Sequence, residues 1–331
     1  MVSKGFKTTE VSWKVLDIEI SGTITYPDDD LSHPGIIMVA GSGPTDRNWC
    51  SPLLPGDNGS GKLLAEALAM KGYVTLRYDK MASGPHVMEN LPKFSGKASM
   101  ESHREEVAGA FSALISQDNV KKDEVYALTN SEGAIHATNY QLSLRAQKFN
   151  GIIMTGAPGR SVGDVARNQL SSQAKYFPGA DEILKKYDSA VGQLLDGKPM
   201  NLEDSLPEVV KLMLRSLESP HNLPFSRELW IYSLSENVGN IKEPVLVIIG
   251  KKDIQVNWKD DGRLLEVALS GNSDAEFAYP DNANHVLKHE VQPVEKITAE
   301  YAGMHYNSPG SILDDESLNT ILRWLDRHTR N

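Results

Sequence analysis

Ser131 is the side chain best placed to act as a nucleophile. It stands in residues 125–133, VYALTNSEG, where a short apolar run meets polar turn residues and a helical pattern follows from Ala134. A serine on a sharp strand-to-helix turn is lifted clear of the backbone around it. The N–H groups that open the helix then direct partial positive charge at any oxyanion formed beside it. Such a turn needs small residues two positions before and after the serine. Gly133 meets that need, whereas Thr129, β-branched and bulkier than glycine, departs from it. The ordinary alternative is a serine capping a helix, with Glu132 in its first turn.

A serine hydroxyl needs a base, and the base needs an acid to fix its tautomer and stabilise its charged form. Residues 275–288, AEFAYPDNANHVLK, carry His285 in a polar loop after an apolar run. A histidine in such a loop can reach both partners, and its ordinary pKa near 6.5 suits proton transfer. His289 is the rival base, four residues on and expected in a helix. The other seven of the nine histidines read as structural or solvated. Residues 245–253, VLVIIGKKD, end a buried-strand pattern and place Asp253 in the loop beyond it, at the sheet edge where catalytic groups collect. Asp260 and Asp261 are rival acids.

The oxyanion needs two N–H donors. The sequence GSGPTDRNW follows the first buried run, and glycines there let the backbone approach and turn an N–H inward. Ser42 is assigned as that donor, with Gly43 the alternative, and Glu132 as the second. Gly41, Gly43, Asp46 and Arg47 are expected to support the loop, Asp46 and Arg47 as a pair, with Arg77 and Asp79 as a second brace. The stretch GDNGSGK fits G-x-x-x-x-G-K, but Leu63 follows where a phosphate-binding loop needs Ser or Thr. It reads instead as a glycine-rich loop leading into a helix. Cys50, the single cysteine, reads as a small buried hydrophobe, with a position near the acyl or alcohol pocket as the functional alternative.

The elements that must position these residues alternate along the chain. Residues 11–15 and 18–26 alternate apolar and polar and predict an antiparallel edge pair. Continuous apolar runs at 35–40, 73–77, 125–128, 151–155, 245–249 and 275–279 predict strands covered on both faces. Helical patterns at 60–70, 102–116, 134–147 and 317–328 lie between or after them. This implies parallel crossovers and a doubly wound sheet. Residues 160–240 break the rhythm with helical patterns only, at 162–176, 180–195, 206–217 and 226–235. The expected organisation is therefore a core of residues 1–159 and 239–331 interrupted by a helical cap at 160–238. Leu170, Tyr176, Phe177, Met213 and Trp230 are expected to line that cap over the site.

The net charge of −10 over 331 residues opposes a nucleic-acid surface. A single cysteine allows no intrachain disulfide. No apolar signal region and no run of about 18 apolar residues is seen, so a cytoplasmic chain without a membrane span is expected. Nothing points to a metal or cofactor, and the oligomeric state is not readable.

With these residues in view, the chain resembles the bacterial and archaeal α/β-hydrolase esterases whose oxyanion loop reads GSGPxDR, here residues 41–47. Their strand-end LRYDK corresponds to 76–80, their nucleophile turn to 130–133 and their NHxxK-like base segment to 284–288. The chain order Ser, Asp, His also agrees. Met81 and Ala82 depart from the Arg-Gly common after LRYDK. The resemblance implies an α/β-hydrolase fold, a mostly parallel doubly wound sheet with an inserted helical cap. It implies Ser131 as nucleophile, Asp253 as acid, His285 as base, and cofactor-free hydrolysis of a small-molecule carboxylic ester, short acyl esters foremost. The same machinery serves thioesterases, lactonases, peptidases and acyltransferases, and a catalytically silent binding protein is the remaining alternative.

Overall fold

The computed structural model describes residues 5–174 and 179–329. Among these residues eight strands form one sheet: β1 (Phe6–Val15), β2 (Ile18–Pro27), β3 (His33–Val39), β4 (Val74–Tyr78), β5 (Val120–Asn130), β6 (Gly151–Thr155), β7 (Val245–Ile248) and β8 (Ala275–Ala278). Their order across the sheet is β1-β2-β4-β3-β5-β6-β7-β8. β2 runs antiparallel to both β1 and β4, and every pairing from β4 to β8 is parallel. Parallel strands need crossovers, and the helices supply them on both faces.

One face is covered by α1 (Ser60–Ala69) and α12 (Asp315–His328), which bury Leu64, Leu68, Trp324 and Leu325 against Ile36, Met38, Leu128 and Ile153. The other is covered by α3 (Met100–Ile115), α4 (Gly133–Gln141) and α10 (Asp260–Ala268). They bring Val107, Phe111, Ile135 and Leu265 onto Ile37, Val39, Ala127 and Val247. Alternate residues of the central strands thus serve opposite cores, which is why these strands read as unbroken apolar runs.

Between β6 and β7 lie α5 (Val162–Ala174), α6 (Ala180–Leu195), α7 (Glu208–Glu218), α8 (Phe225–Ile231) and α9 (Leu234–Val238). Tyr187, Leu194, Val210, Leu214 and Trp230 give this stretch a core of its own. The single helix expected at 226–235 is two, separated at Tyr232 and Ser233. The helix expected to run to residue 147 stops at Gln141, because Ser143 Oγ and Lys148 Nζ bond the carbonyls of Tyr140 and Gln141 and turn the chain away. Among the described residues, three α-helices have no counterpart in the expected pattern: α2 (Val87–Phe94), α10 and α11 (Ala299–His305). Among the described residues no helix is long and apolar enough to cross a membrane.

Candidate active site

Ser131 follows the last residue of β5 and precedes α4, with φ at +52°. That left-handed conformation is costly for a residue with a Cβ, so the surroundings must impose it. They do so from both sides. Ser131 N donates to Thr155 O on β6 at 2.8 Å, and Ser131 O accepts from Ala134 N at 3.0 Å. A Cβ on Gly133 would run into the carbonyl oxygens of Val39 and Ala40, so helix and strand can approach only because this residue is glycine. Thr129 is accommodated within the sheet. Its Oγ1 donates to Ile153 O at 3.1 Å, and Thr155 Oγ1 donates back to Thr129 O at 2.7 Å.

His285 lies in the loop after β8, with Nδ1 2.7 Å from Asp253 Oδ2. Both side chains are buried. The other carboxylate oxygen, Oδ1, accepts the N–H groups of Gln255 and Val256 at 2.7 and 2.9 Å. The rival acids serve elsewhere. Asp261 is buried and bonded to the Arg160 guanidinium and to the N–H groups of Gly159, Arg160 and Asn257. Asp260 is exposed in the first turn of α10. The rival base His289 is not in a helix. It sits on an isolated bridge to Ala283, partly exposed, with Nδ1 3.4 Å from Asp314.

Asn130 and Gly156 join the serine and histidine loops. Asn130 Nδ2 donates to His285 O at 3.0 Å. Gly156, at φ +55°, leaves room for the imidazole, since a Cβ there would stand 3.1 Å from His285 Nδ1 and Cε1. Among the described residues no hydrogen bond joins Ser131 Oγ to His285. The loop of His285 is itself pinned by Lys288. Its buried ammonium donates to Ser311 Oγ at 2.7 Å, to Tyr306 O at 3.1 Å and to Asn58 O. Burial lowers its pKa to about 8. The glycine-rich stretch that mimics a phosphate loop serves the same purpose, with Ser60 Oγ donating to Val286 O at 2.6 Å.

A cavity of about 210 Å³ opens at Ser131 and is also lined by Ser42, Glu132, Val162, Val165, Ala166 and Gln169. Among the described residues, no acceptor is found for the backbone N–H of either Ser42 or Glu132. The cavity wall from the helical stretch is one face of α5. Leu170, Met213 and Trp230, expected over the site, belong to that stretch's own core, and Tyr176 and Phe177 lie outside the described residues. The opposite face of α5, at Gly163, Asp164 and Arg167, borders a separate open cleft of about 670 Å³. Both arginines there are already paired, Arg167 with Asp188 and Arg160 with Asp261.

The loop braces differ from expectation. Arg47 does not pair with Asp46. Its Nη2 and backbone N bond Asp79 at 2.6 and 2.9 Å, and Nη1 reaches Glu10. Asp46 instead accepts the N–H groups of Asn48 and Cys50, closing its own turn. Arg77 donates to Asn48 rather than to Asp79. Gly41 packs beside the nucleophile, where a Cβ would be 3.3 Å from Ser131 Cβ, while Gly43 sits at φ +79° in open space. Cys50 is buried against Gly59 and does not line the Ser131 cavity.

No family model matches the chain. Esterase EstD of Thermotoga maritima is 25% identical over 326 residues, which cover 95% of this chain and 68% of that protein. Among solved structures, the Pyrococcus furiosus esterase Pf2001 matches with a TM-score of 0.57 at 17% identity, over 97% of this chain and 93% of that one. Alpha/beta hydrolase GrgF of Penicillium matches with a TM-score of 0.56 at 17% identity, over 97% and 99%. Pyrococcus horikoshii acylaminoacyl peptidase matches with a TM-score of 0.56 at 14% identity, over 99% of this chain, which spans 42% of the peptidase.

The chain has the α/β-hydrolase fold. Within this fold, Ser131, Asp253 and His285 stand beyond the carboxyl ends of β5, β7 and β8, so the sheet order brings their loops to one edge. Sequence reasoning missed Asn130, Gly156 and the cavity face of α5. For Asn130 the available signal was its place immediately before the serine. For α5 it was the spacing of Val162, Val165, Ala166 and Gln169, which is one helical face.

Proposed function

We propose that this chain is a serine carboxylesterase that hydrolyses carboxylic esters of short acyl chains through an acyl-enzyme on Ser131. One joint observation carries the reading. Ser131, held at φ +52°, faces a cavity shared with Ser42 and Glu132, while a buried His285–Asp253 pair stands in the neighbouring loop. A hydrogen-bonded Nδ1 directs the imidazole to act through Nε2. His285 takes the Ser131 proton as the hydroxyl attacks the ester carbonyl, and the N–H groups of Ser42 and Glu132 receive the oxyanion. The imidazolium, stabilised by Asp253, protonates the leaving alcohol. Water then repeats the sequence on the acyl-enzyme.

A cavity of about 210 Å³ walled by Val162, Val165, Ala166 and Val256 suits a short apolar acyl group. Residues 160–238 act as the cap, with α5 its inner wall. EstD, named as an esterase, supports the ester substrate class. The test is a fluorophosphonate label located by mass spectrometry, combined with turnover of p-nitrophenyl acetate. The label should fall on Ser131, and Ser131→Ala should lose about 10³-fold or more in kcat while remaining folded. Persistent turnover with the label elsewhere would reject the assignment. Thioesters, lactones and peptides assayed alongside rank the leaving groups.

A further inference from the structure

Lys80 is almost fully buried immediately beyond β4, and the ester-hydrolysis scheme above makes no use of it. Its ammonium donates to Gly41 O at 2.5 Å and lies 3.7 Å from Glu132 Oε1. The closer partner is therefore a neutral carbonyl. That carbonyl is one end of the planar peptide whose other end is the Ser42 N–H. In a trans peptide the C=O and N–H point in opposite directions, so anchoring the oxygen on Lys80 sets the direction of the N–H. A cation on the oxygen also polarises the amide and strengthens its donor.

The second contact reaches the other side of the oxyanion site. Glu132 carries the second assigned N–H on its backbone, and its side-chain carboxylate accepts from His136 at 2.9 Å as well as facing Lys80. Burial alone would raise that carboxyl's pKa; Lys80 and His136 outweigh it and hold the group well below its usual range. The residues flanking Lys80 are tied down too. Asp79 binds Arg47, and Met81 N donates to Glu106, which in turn holds His103 at 2.5 Å, stacked on His136.

We propose that Lys80 is a positioning residue that spans the oxyanion hole. Through Gly41 O it orients the Ser42 N–H, and through the Glu132 carboxylate it fixes that donor relative to the Glu132 N–H. The proposal rests on the Ser131 esterase reading. It predicts an effect confined to states in which the substrate oxygen carries negative charge, so kcat falls while KM does not.

The test uses the full chain with Lys80→Met. Lys80→Met/Glu132→Gln is made alongside, so that a carboxylate left unpaired in the single variant cannot decide the outcome through misfolding; whichever is folded is read. The readouts are kcat and KM for p-nitrophenyl acetate and the affinity for a trifluoromethyl ketone, which forms a tetrahedral oxyanion on serine. The expected result is a fall in kcat of about 10- to 100-fold, KM within about twofold, and ketone affinity weakened by the same factor as kcat. Wild-type kcat and ketone affinity in a folded variant would overturn the proposal, as would a loss confined to KM. Failure of the underlying reading is separate, because it appears as turnover surviving in Ser131→Ala whatever Lys80 does.

Discussion

Asp253 Oδ2 lies 2.7 Å from His285 Nδ1, and its Oδ1 is occupied by two backbone N–H groups. Eight positions further on, Asp261 is equally buried but committed to Arg160 and three backbone N–H groups. The two carboxylates should therefore fail in different ways. Asp253→Asn should lower kcat by about 10³- to 10⁴-fold with little change in stability, by offering the imidazole the wrong partner. Asp261→Asn should leave kcat nearly intact and cost on the order of 2–4 kcal/mol, because Arg160 and its N–H neighbours lose a charged acceptor. Steady-state kinetics with urea denaturation of both variants checks the contrast. His285→Ala and His289→Ala should divide likewise, only the first losing turnover.

Ser131 stores backbone strain at φ +52°. Ser131→Gly should be more stable than Ser131→Ala by about 1 kcal/mol, since glycine reaches that region freely and alanine does not. Both should be inactive. Thermal denaturation of the two gives the difference; equal midpoints would mean that the turn has relaxed.

The two faces of α5 should behave differently. Val165→Ala enlarges the Ser131 cavity and should raise activity on octanoyl relative to acetyl esters by several-fold. Arg167→Ala, on the opposite face, should leave the acyl profile unchanged. An acyl-chain series on both variants reads this directly.

Cys50 is buried, and burial raises its thiol pKa to about 11, so little thiolate exists at neutral pH. Native protein treated with a maleimide should keep its activity and carry little label, and Cys50→Ser should be active. Rapid labelling with loss of activity would place the thiol closer to the substrate path than the structure does.

Glu132 is ionised in the folded protein with its pKa depressed below the ordinary 4.5. A depressed carboxyl contributes stability above its unfolded pKa, and that contribution is lost as pH falls toward the folded value. The stability gap between wild type and Glu132→Gln should therefore be widest near pH 7 and narrow below about pH 4.5. Chemical denaturation of both proteins at pH 7 and pH 3.5 measures it.

The local patterns of the sequence sufficed for the strands and for the types of the site residues. A strand–turn–helix context around Ser131, apolar runs ending just before Asp253 and His285, and the order of the three are properties of short windows. Periodicity and turn chemistry act within a few residues. Helices α2 and α10 were less legible because contacts distant in sequence hold them: Asn90, inside α2, bonds the backbone of Glu19, and Asp261, in the first turn of α10, bonds Arg160, whereas α11 starts on a local cap, Thr298 Oγ1 accepting from Tyr301 N.

The sequence by itself determined which side chains could do chemistry and the order in which the chain presents them. Only the tertiary structure decided which of them meet. Adjacent Asp46 and Arg47 suggested a pair, but Asp46 closes its own turn on Asn48 and Cys50, and Arg47 finds Asp79, thirty-two residues away, on the neighbouring strand end. Lys80 reaches Gly41 because β3 and β4 are parallel neighbours whose carboxyl ends lie side by side. Such pairings follow from strand register and from the competition of each buried polar group for its best available partner, and neither is encoded within one short stretch of chain.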